Sequence, residues 1–249
     1  QLAPVEAGSP FASMAAYFAS ADTPDALAVL NKNQRFGPDS SIHWFCQRVR
    51  ENRIDGIVEF LREGDRRDFV WASRTPESSE ERLKHLIRQG YAPLRNAQTP
   101  EEAYASFLKF QVLCPTNDGD LGVNAINKLA EELVGPEGRS ESKKPRYRGL
   151  PILIEQNDYS LGVFNGDVGI VFPASDDKEK LLAWFPDEDG TMRPVSTTRL
   201  PPHRPAYAMT IHRSQGSEYE EVAIVLPERE SEILNRNLLY VATSRAKEK

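Results

Sequence analysis

Near the carboxyl end of the chain a polar block, TIHRSQGSE at residues 210–218, lies between apolar runs at 206–209 and 222–226. The second run has the length and β-branched content of a buried strand. A helix-like stretch at 237–244 then delivers a guanidinium, Arg245. Polar groups crowded at a strand edge beside an arginine suit a phosphate-handling site, where fixed donors and cations meet negative charge. Thr210, His212 and Ser214 alternate along a segment expected to be extended, which puts them on one face. Their hydroxyl and imidazole groups suit phosphate oxygens. Gly216 would let a phosphate approach the backbone closely. Glu218 reads either as an acceptor for a ribose hydroxyl or as an acid at a helix start. On spacing alone, Arg245 is more commonly a helix-end arginine in a surface ion pair, and His212 a satisfied structural residue. His212 and Ser214 have no third partner for nucleophilic chemistry.

These residues need a scaffold. Residues 110–114 (FQVLC) form a short apolar strand, 117–122 a turn cluster and 123–134 a helix, which is the βα unit of an open parallel sheet. Helices are expected over 10–21, from Thr23 to about 31, after Asp39 or Ser40, over 75–89 and over 99–108. Two of them open on a Thr-Pro-acid cap. In the third, Ile42, Phe45, Cys46 and Val49 fall at helical spacing. Residues 135–148 hold five Lys/Arg against two Glu, which predicts a solvated basic connection through Arg139, Lys143, Lys144, Arg146 and Arg148. Apolar runs at 151–155, 169–171 and 181–185, with turns at Asn165-Gly166 and Asp189-Gly190, are β-hairpin signals. Tyr159, Phe164 and Trp184 offer rings on which bases can stack, although aromatics in a small β unit more often form its core.

Bulk properties set limits. The 249 residues form one large domain or two small ones, and at that size about 75% of the unfolded surface is buried. Hydrophobic content of 39% and a mean hydropathy of -0.53 are those of an ordinary water-soluble chain. No run approaches the ~20 apolar residues of a membrane span, and no secretory leader is visible. Cys46 and Cys114 sit in apolar surroundings, as free thiols of a reducing, cytoplasmic protein do. The net charge of -6 weighs against a broadly basic nucleic-acid surface, though not against a groove lined by a few cations. A chain that opens on Gln1 and carries no G-x-x-x-x-G-K-[ST] reads as part of a larger protein.

The 210–218 block and the VATSRAK segment around Arg245 resemble motifs V and VI of superfamily-one helicases. With Gln215 where the UvrD-like branch carries Lys, they resemble the RecD family, the alpha subunits of exodeoxyribonuclease V. Three further segments agree, in the family's order. Gln1-Leu2 before VEAG resembles the tail of motif III, LNKNQRFG at 30–37 resembles motif IV, and NDYSLGVFNGDVGIV at 157–171 resembles the block between motifs IV and V. The resemblance implies an α/β, RecA-like second motor domain with a parallel sheet, interrupted by a small Src-homology-3-like β-barrel. It assigns 1–24 to the tail of the preceding motor domain, 25–147 and 200–249 to the motor domain, and 148–199 to the barrel.

The resemblance also implies roles. Arg245 becomes an arginine finger, Arg35 a second γ-phosphate contact and Gln1 the link between nucleotide state and DNA. Gln34 stands where relatives often carry an aromatic residue near the nucleotide. Gln215, Gly216 and Glu218 would border the nucleotide. Thr210, His212, Ser214 and Asn165 would meet DNA. No metal ligand is expected in this chain; ATP and Mg2+ would belong to the full-length protein. The activity implied is that of a 5′-to-3′ DNA helicase subunit acting with RecB and RecC on single strands and double-stranded DNA ends in repair and recombination. The alternatives are a self-standing RecD-like helicase, a non-catalytic DNA- or protein-binding module on a degenerate motor fold, and, more weakly, an RNA helicase. The finger assignment requires Arg245 to face a crevice shared with the 210–218 loop rather than be buried.

Overall fold

The computed structural model describes residues 10–20, 36–37, 39–72, 76–136, 146–227 and 233–249. Strand β1 (Phe110–Cys114) is buried at all five positions and forms the centre of a three-stranded sheet. It pairs in parallel with β7 (Ala208–Thr210) on one side and β8 (Glu221–Ile224) on the other, with Val112 opposite Ala208 and Phe110 opposite Glu221. A central parallel strand has no wet face, which is why FQVLC reads as an unbroken apolar run. Its one polar side chain, Gln111, donates from Nε2 to the carbonyls of Ala206 and Tyr207. Among the described residues strand β8 has a single strand neighbour, so it is half-exposed rather than buried as the sequence suggests.

Helices α4 (Pro76–Asn96), α5 (Pro100–Phe107) and α6 (Val123–Val134) pack together over this sheet. Thr99 caps α5 by accepting from the Glu102 N–H. Helix α4 runs past the expected stop at 89 and accommodates Gly90 and Pro93. Gly90 is there because the Phe110 ring occupies the space of a side chain; a Cβ would lie 2.2 Å from its Cδ1. Helix α1 (Pro10–Ser20) matches its expected span.

A second helical layer holds α2 (Ser41–Arg50), the unanticipated α3 (Ile57–Arg62) and α7 (Arg236–Thr243). Ser40 caps α2, and Ile42, Phe45, Cys46 and Val49 are its buried residues. Trp44 stacks on Phe60 at 4.6 Å. Ile42, Cys46 and Ala246 cluster with Val222 of β8 and Tyr240 of α7, which fixes the end of α7 beside the sheet.

Residues 150–205 form a second, antiparallel sheet ordered β5-β4-β3-β2-β6. Its strands are β2 (Leu150–Ile154), β3 (Val168–Pro173), β4 (Leu181–Pro186), β5 (Met192–Ser196) and β6 (His203–Pro205). Its edges are β5 and β6, and no pairing closes it into a barrel among the described residues. Gly166 and Gly190 take φ of +103° and +83° in the two expected turns. The sheet shares one core with the parallel unit: Ile170 and Phe185 belong to the same buried cluster as Val112 and Met209. Trp184 lies in that core, its indole N–H donating to the Phe172 carbonyl at 3.2 Å, so it offers no stacking face. Arg148 is exposed, as expected, but anchored: its guanidinium lies 4.7 Å over the Phe172 ring and donates to the Ala97 carbonyl. Arg146 is exposed; Arg139, Lys143 and Lys144, like the helix expected from Thr23, lie outside the described residues.

Candidate functional site

Loops at the carboxyl ends of parallel strands are where open α/β sheets gather ligands. Here those loops follow β1, through Thr116 and Asn117, and β7, through residues 211–218. The second is not extended. The Ser214 N–H donates to the Thr210 carbonyl (3.2 Å), that of Gln215 to His212 (3.2 Å) and that of Ser217 to Ser214 (3.0 Å). Gly216 completes the turn at φ +91°, a conformation that side chains resist.

The coiling overturns the shared face expected for Thr210, His212 and Ser214. Thr210 and Ser214 are buried. The Thr210 hydroxyl accepts from the Arg213 N–H at 3.3 Å, and the Ser214 hydroxyl donates to the Ile211 carbonyl at 2.7 Å. Short polar side chains compete for nearby backbone groups in this way, which ends the strand at Thr210. The exposed residues are His212, Arg213, Gln215 and Gly216. Alternation skipped Arg213, although it stands within the polar block.

Arg213 reaches across to the antiparallel sheet, its Nη1 donating to Asn165 Oδ1 at 3.1 Å. Asn165 belongs to the β2–β3 loop, so two segments singled out in the sequence meet through a residue that was not. A second tether lies beside it, where Arg204 of β6 donates from Nη1 to Asn117 Oδ1 at 2.9 Å and its Nε lies 3.5 Å from Glu155 Oε1. Burial depresses the Arg204 pKa; Glu155 opposes the shift and neighbouring Arg213 adds to it. Two guanidiniums thus share one rim of the seam between the sheets.

Arg245 is 3% exposed, not open to a crevice. It follows the C-cap of α7, where helix carbonyls lack intrahelical partners. Its Nε donates to the Val241 carbonyl (3.1 Å), Nη2 to the Ser244 hydroxyl (3.1 Å) and Nη1 to the Ser217 carbonyl (3.1 Å). A guanidinium's five N–H groups serve such a cluster of acceptors well. The side chain therefore points at the 210–218 loop, as expected, but is enclosed by it. The Tyr219 N–H donates back to the Arg245 carbonyl at 3.0 Å, and burial pushes the Tyr219 hydroxyl up to about 12. Glu218 is half-buried and lies 3.3 Å from Lys247 Nζ. Gln1 and Arg35 lie outside the described residues.

Among the described residues no group of three or more His, Cys, Asp or Glu is placed to hold a metal ion, and the sequence contains no phosphate loop of the G-x-x-x-x-G-K-[ST] kind.

Residues 205–249 match the family model of the UvrD-like helicase C-terminal domain. Over 256 aligned residues the chain is 35% identical to RecBCD enzyme subunit RecD of Mycobacterium tuberculosis (strain CDC 1551 / Oshkosh), covering 100% of this chain and 42% of that protein. It is 34% identical over 141 residues to the ATP-dependent RecD2 DNA helicase of Deinococcus radiodurans, covering 56% of this chain and 19% of that protein. Among solved structures, Pif1 helicase from Bacteroides in complex with ADP-AlF3 and ssDNA superposes with a TM-score of 0.41 at 18% identity, covering 83% of this chain and 46% of that one. The chain spans less than half the length of each of these relatives. Over the whole of its own length the chain is similar to RecD, and its residues 205–249 are similar to the UvrD-like helicase C-terminal domain.

Proposed function

We propose that this chain is the second motor half of an ATP-dependent 5′-to-3′ DNA helicase that works as a RecD-type subunit beside RecB and RecC on broken double-stranded ends, in repair and recombination. The observation that carries this is the Arg213–Asn165 hydrogen bond: it joins the loop after β7 to the antiparallel sheet and leaves His212, Arg213 and Gln215 exposed along the seam. Phosphate contacts of that kind hold a strand without reading its sequence. Similarity to the RecBCD subunit over the entire chain, against 56% of it for the RecD2 helicase, favours the subunit over the self-standing enzyme.

In this proposal 25–147 and 200–249 form the motor unit, 1–24 the tail of the preceding one, and 148–199 the counterpart of the family's small barrel, with β6 supplied from beyond it. ATP and Mg2+ are held by the partner motor domain of the full-length protein, with Gln215, Gly216 and Glu218 bordering the cleft and Gln1 and Arg35 approaching the nucleotide. Arg245, as placed, is a positioning residue that holds Ser217 against α7. Action on DNA ends would place the protein in the cytoplasm; no helix among the described residues is long and apolar enough to cross a membrane.

The test is strand separation by the full-length protein on duplexes carrying a 5′ or a 3′ single-stranded tail. Unwinding that needs ATP and a 5′ tail is expected. Absence of nucleotide turnover with and without DNA, with neither duplex opened, would overturn the proposal. It would favour a non-catalytic binding module, a reading for which the burial of Arg245 speaks.

A further inference from the structure

The β2–β3 loop carries two aromatic rings that the core does not use. Tyr159 is 80% exposed and Phe164 45% exposed, and their rings meet edge to face at 5.8 Å. Exposed aromatics on a loose loop would mean little. This loop is braced from within. Asp158 Oδ1 accepts from the Ser160 N–H (2.9 Å), the Ser160 hydroxyl (2.7 Å) and the Leu161 N–H (3.1 Å). Asp158 and Val163 exchange backbone hydrogen bonds, the Phe164 N–H donates to Asp167 Oδ2 at 2.8 Å, and that of Asn165 to Asn157 Oδ1 at 2.8 Å. The nearby carboxylates of Asp158 and Asp167 are thus engaged in the loop's own caps.

Asn165, next in the chain to Phe164, is the acceptor for Arg213. An aromatic pair on a braced loop therefore lies next in the chain to the acceptor of the Arg213 guanidinium. Two rings are far too small for a protein interface, which needs about 800 Å² per partner. They match the face of a nucleobase, and aromatic faces next to cations are how single strands are held without regard to sequence. We propose that Tyr159 and Phe164 form a stacking platform for one or two unpaired bases, adjoining a backbone phosphate held by Arg213. The proposal rests on the single-strand reading above and adds where the bases go.

The test is binding of the full-length protein to labelled oligothymidylate, to the same oligomer with abasic sites, and to one carrying a single 2-aminopurine, whose fluorescence is quenched on stacking. Phe164→Ala and Tyr159→Leu should each weaken binding of the ordinary oligomer about 5- to 150-fold, the range for losing a stacked base. Both should leave the abasic oligomer within twofold and the salt dependence unchanged, and both should relieve the quench; Phe164→Trp should restore it. Arg213→Gln should weaken ordinary and abasic strands alike and lower the salt slope by about 0.7. If the aromatic variants bind as wild type while Arg213→Gln does not, the platform falls and the DNA reading stands. Equal loss on ordinary and abasic strands would mean that the rings only shape the loop, which also overturns the platform. A wild-type protein that binds no single strand removes both.

Discussion

The guanidinium of Arg245 donates to the carbonyl of Ser217 across 3.1 Å, joining the end of α7 to the turn that follows Thr210. The backbone repeats the link, since Tyr219 bonds to Arg245 and Lys247 back to Tyr219. The last residues of the chain thus run alongside residues 219–222 and hold the loop from behind, while His212 and Arg213 face outward.

Arg245→Ala should therefore act on stability before it acts on chemistry. Truncation removes the donor to the Ser217 carbonyl, while the Val241 carbonyl keeps the Ser244 hydroxyl at 2.9 Å. A cost of about 2–4 kcal/mol is expected, because hydrogen bonds to charged groups are worth about 1.5–3 kcal/mol each and orphaned acceptors add to that. Arg245→Lys should recover only part of it, since one ammonium does not reproduce a planar fork. Denaturant unfolding of both variants measures this. An unchanged midpoint with abolished ATP hydrolysis would instead identify a finger that leaves its pocket to act.

Strand β7 lies at an edge of the parallel sheet and is only three residues long, so its outer side needs another partner. Asn127 of α6 supplies it. Its Oδ1 accepts from the Ala208 N–H at 2.9 Å and its Nδ2 donates to the Ala208 carbonyl at 3.1 Å. Asn127→Ala removes both and should cost about 2–4 kcal/mol; Asn127→Asp keeps the acceptor alone and should fall between. Loss of the β7 anchor also frees the 211–218 loop, so single-strand affinity should decline with stability. A variant as stable as wild type would refute the assignment.

Much of this arrangement is legible in the sequence, and the failures share a cause. Strand β1, helix α6, the caps at Ser40 and Thr99 and the glycine turns of the hairpins follow from local chemistry: apolar runs, Thr-Pro-acid starts and Asn-Gly pairs. Propensity alone stops helix α4 before Gly90, because it does not reveal that Phe110 needs the vacant Cβ. Alternation of polar types makes the Thr210–Ser214 stretch resemble a strand. What decides it is the Ser214 hydroxyl's preference for the Ile211 carbonyl. Alternation hides Arg213 for the same reason, and spacing does not reveal the burial of Arg245, which depends on the Ser217 carbonyl 28 residues away in the chain.

The loop after α3 meets the start of α2 through Asp68. Its Oδ2 accepts from the Ser40 hydroxyl (2.9 Å) and the Ser41 N–H (2.8 Å) at the helix N-terminus, where a carboxylate also complements the dipole. Burial alone would raise its pKa, but the hydrogen bonds from Ser41, Ser40 and Ile42 outweigh it and hold it below 3.8. The folded pKa is thus below the unfolded one. The stabilisation is fully present above about pH 4 and is lost as pH falls through the depressed value. At neutral pH, Asp68→Ala should cost about 1 kcal/mol, as loss of an N-terminal cap does. The difference from wild type should shrink toward zero as the pH falls below the usual carboxylate value. A gap that persists in acid would show that Asp68 acts through packing rather than charge.

Gly90→Ala should destabilise, against the usual trend for a helix interior. Alanine is favoured over glycine there by about 1 kcal/mol. Here the new Cβ would lie 2.2 Å from Phe110 Cδ1 and 2.4 Å from its Cγ, the rigid root of a ring rather than a flexible tip. Phe110 is 4% exposed and meets Tyr91 at 5.1 Å, so it has little room to withdraw. Overpacking of this kind costs about 1–3 kcal/mol, which exceeds the propensity gain over most of that range. Because Phe110 begins β1, the displaced ring would also disturb the pairing of Phe110 with Glu221 of β8. Gly90→Ala combined with Phe110→Leu should behave better than the two single losses added together, since the smaller side chain vacates the contested space. Thermal unfolding of the three variants decides it, and a stabilised Gly90→Ala would mean that α4 and β1 lie farther apart than this packing requires.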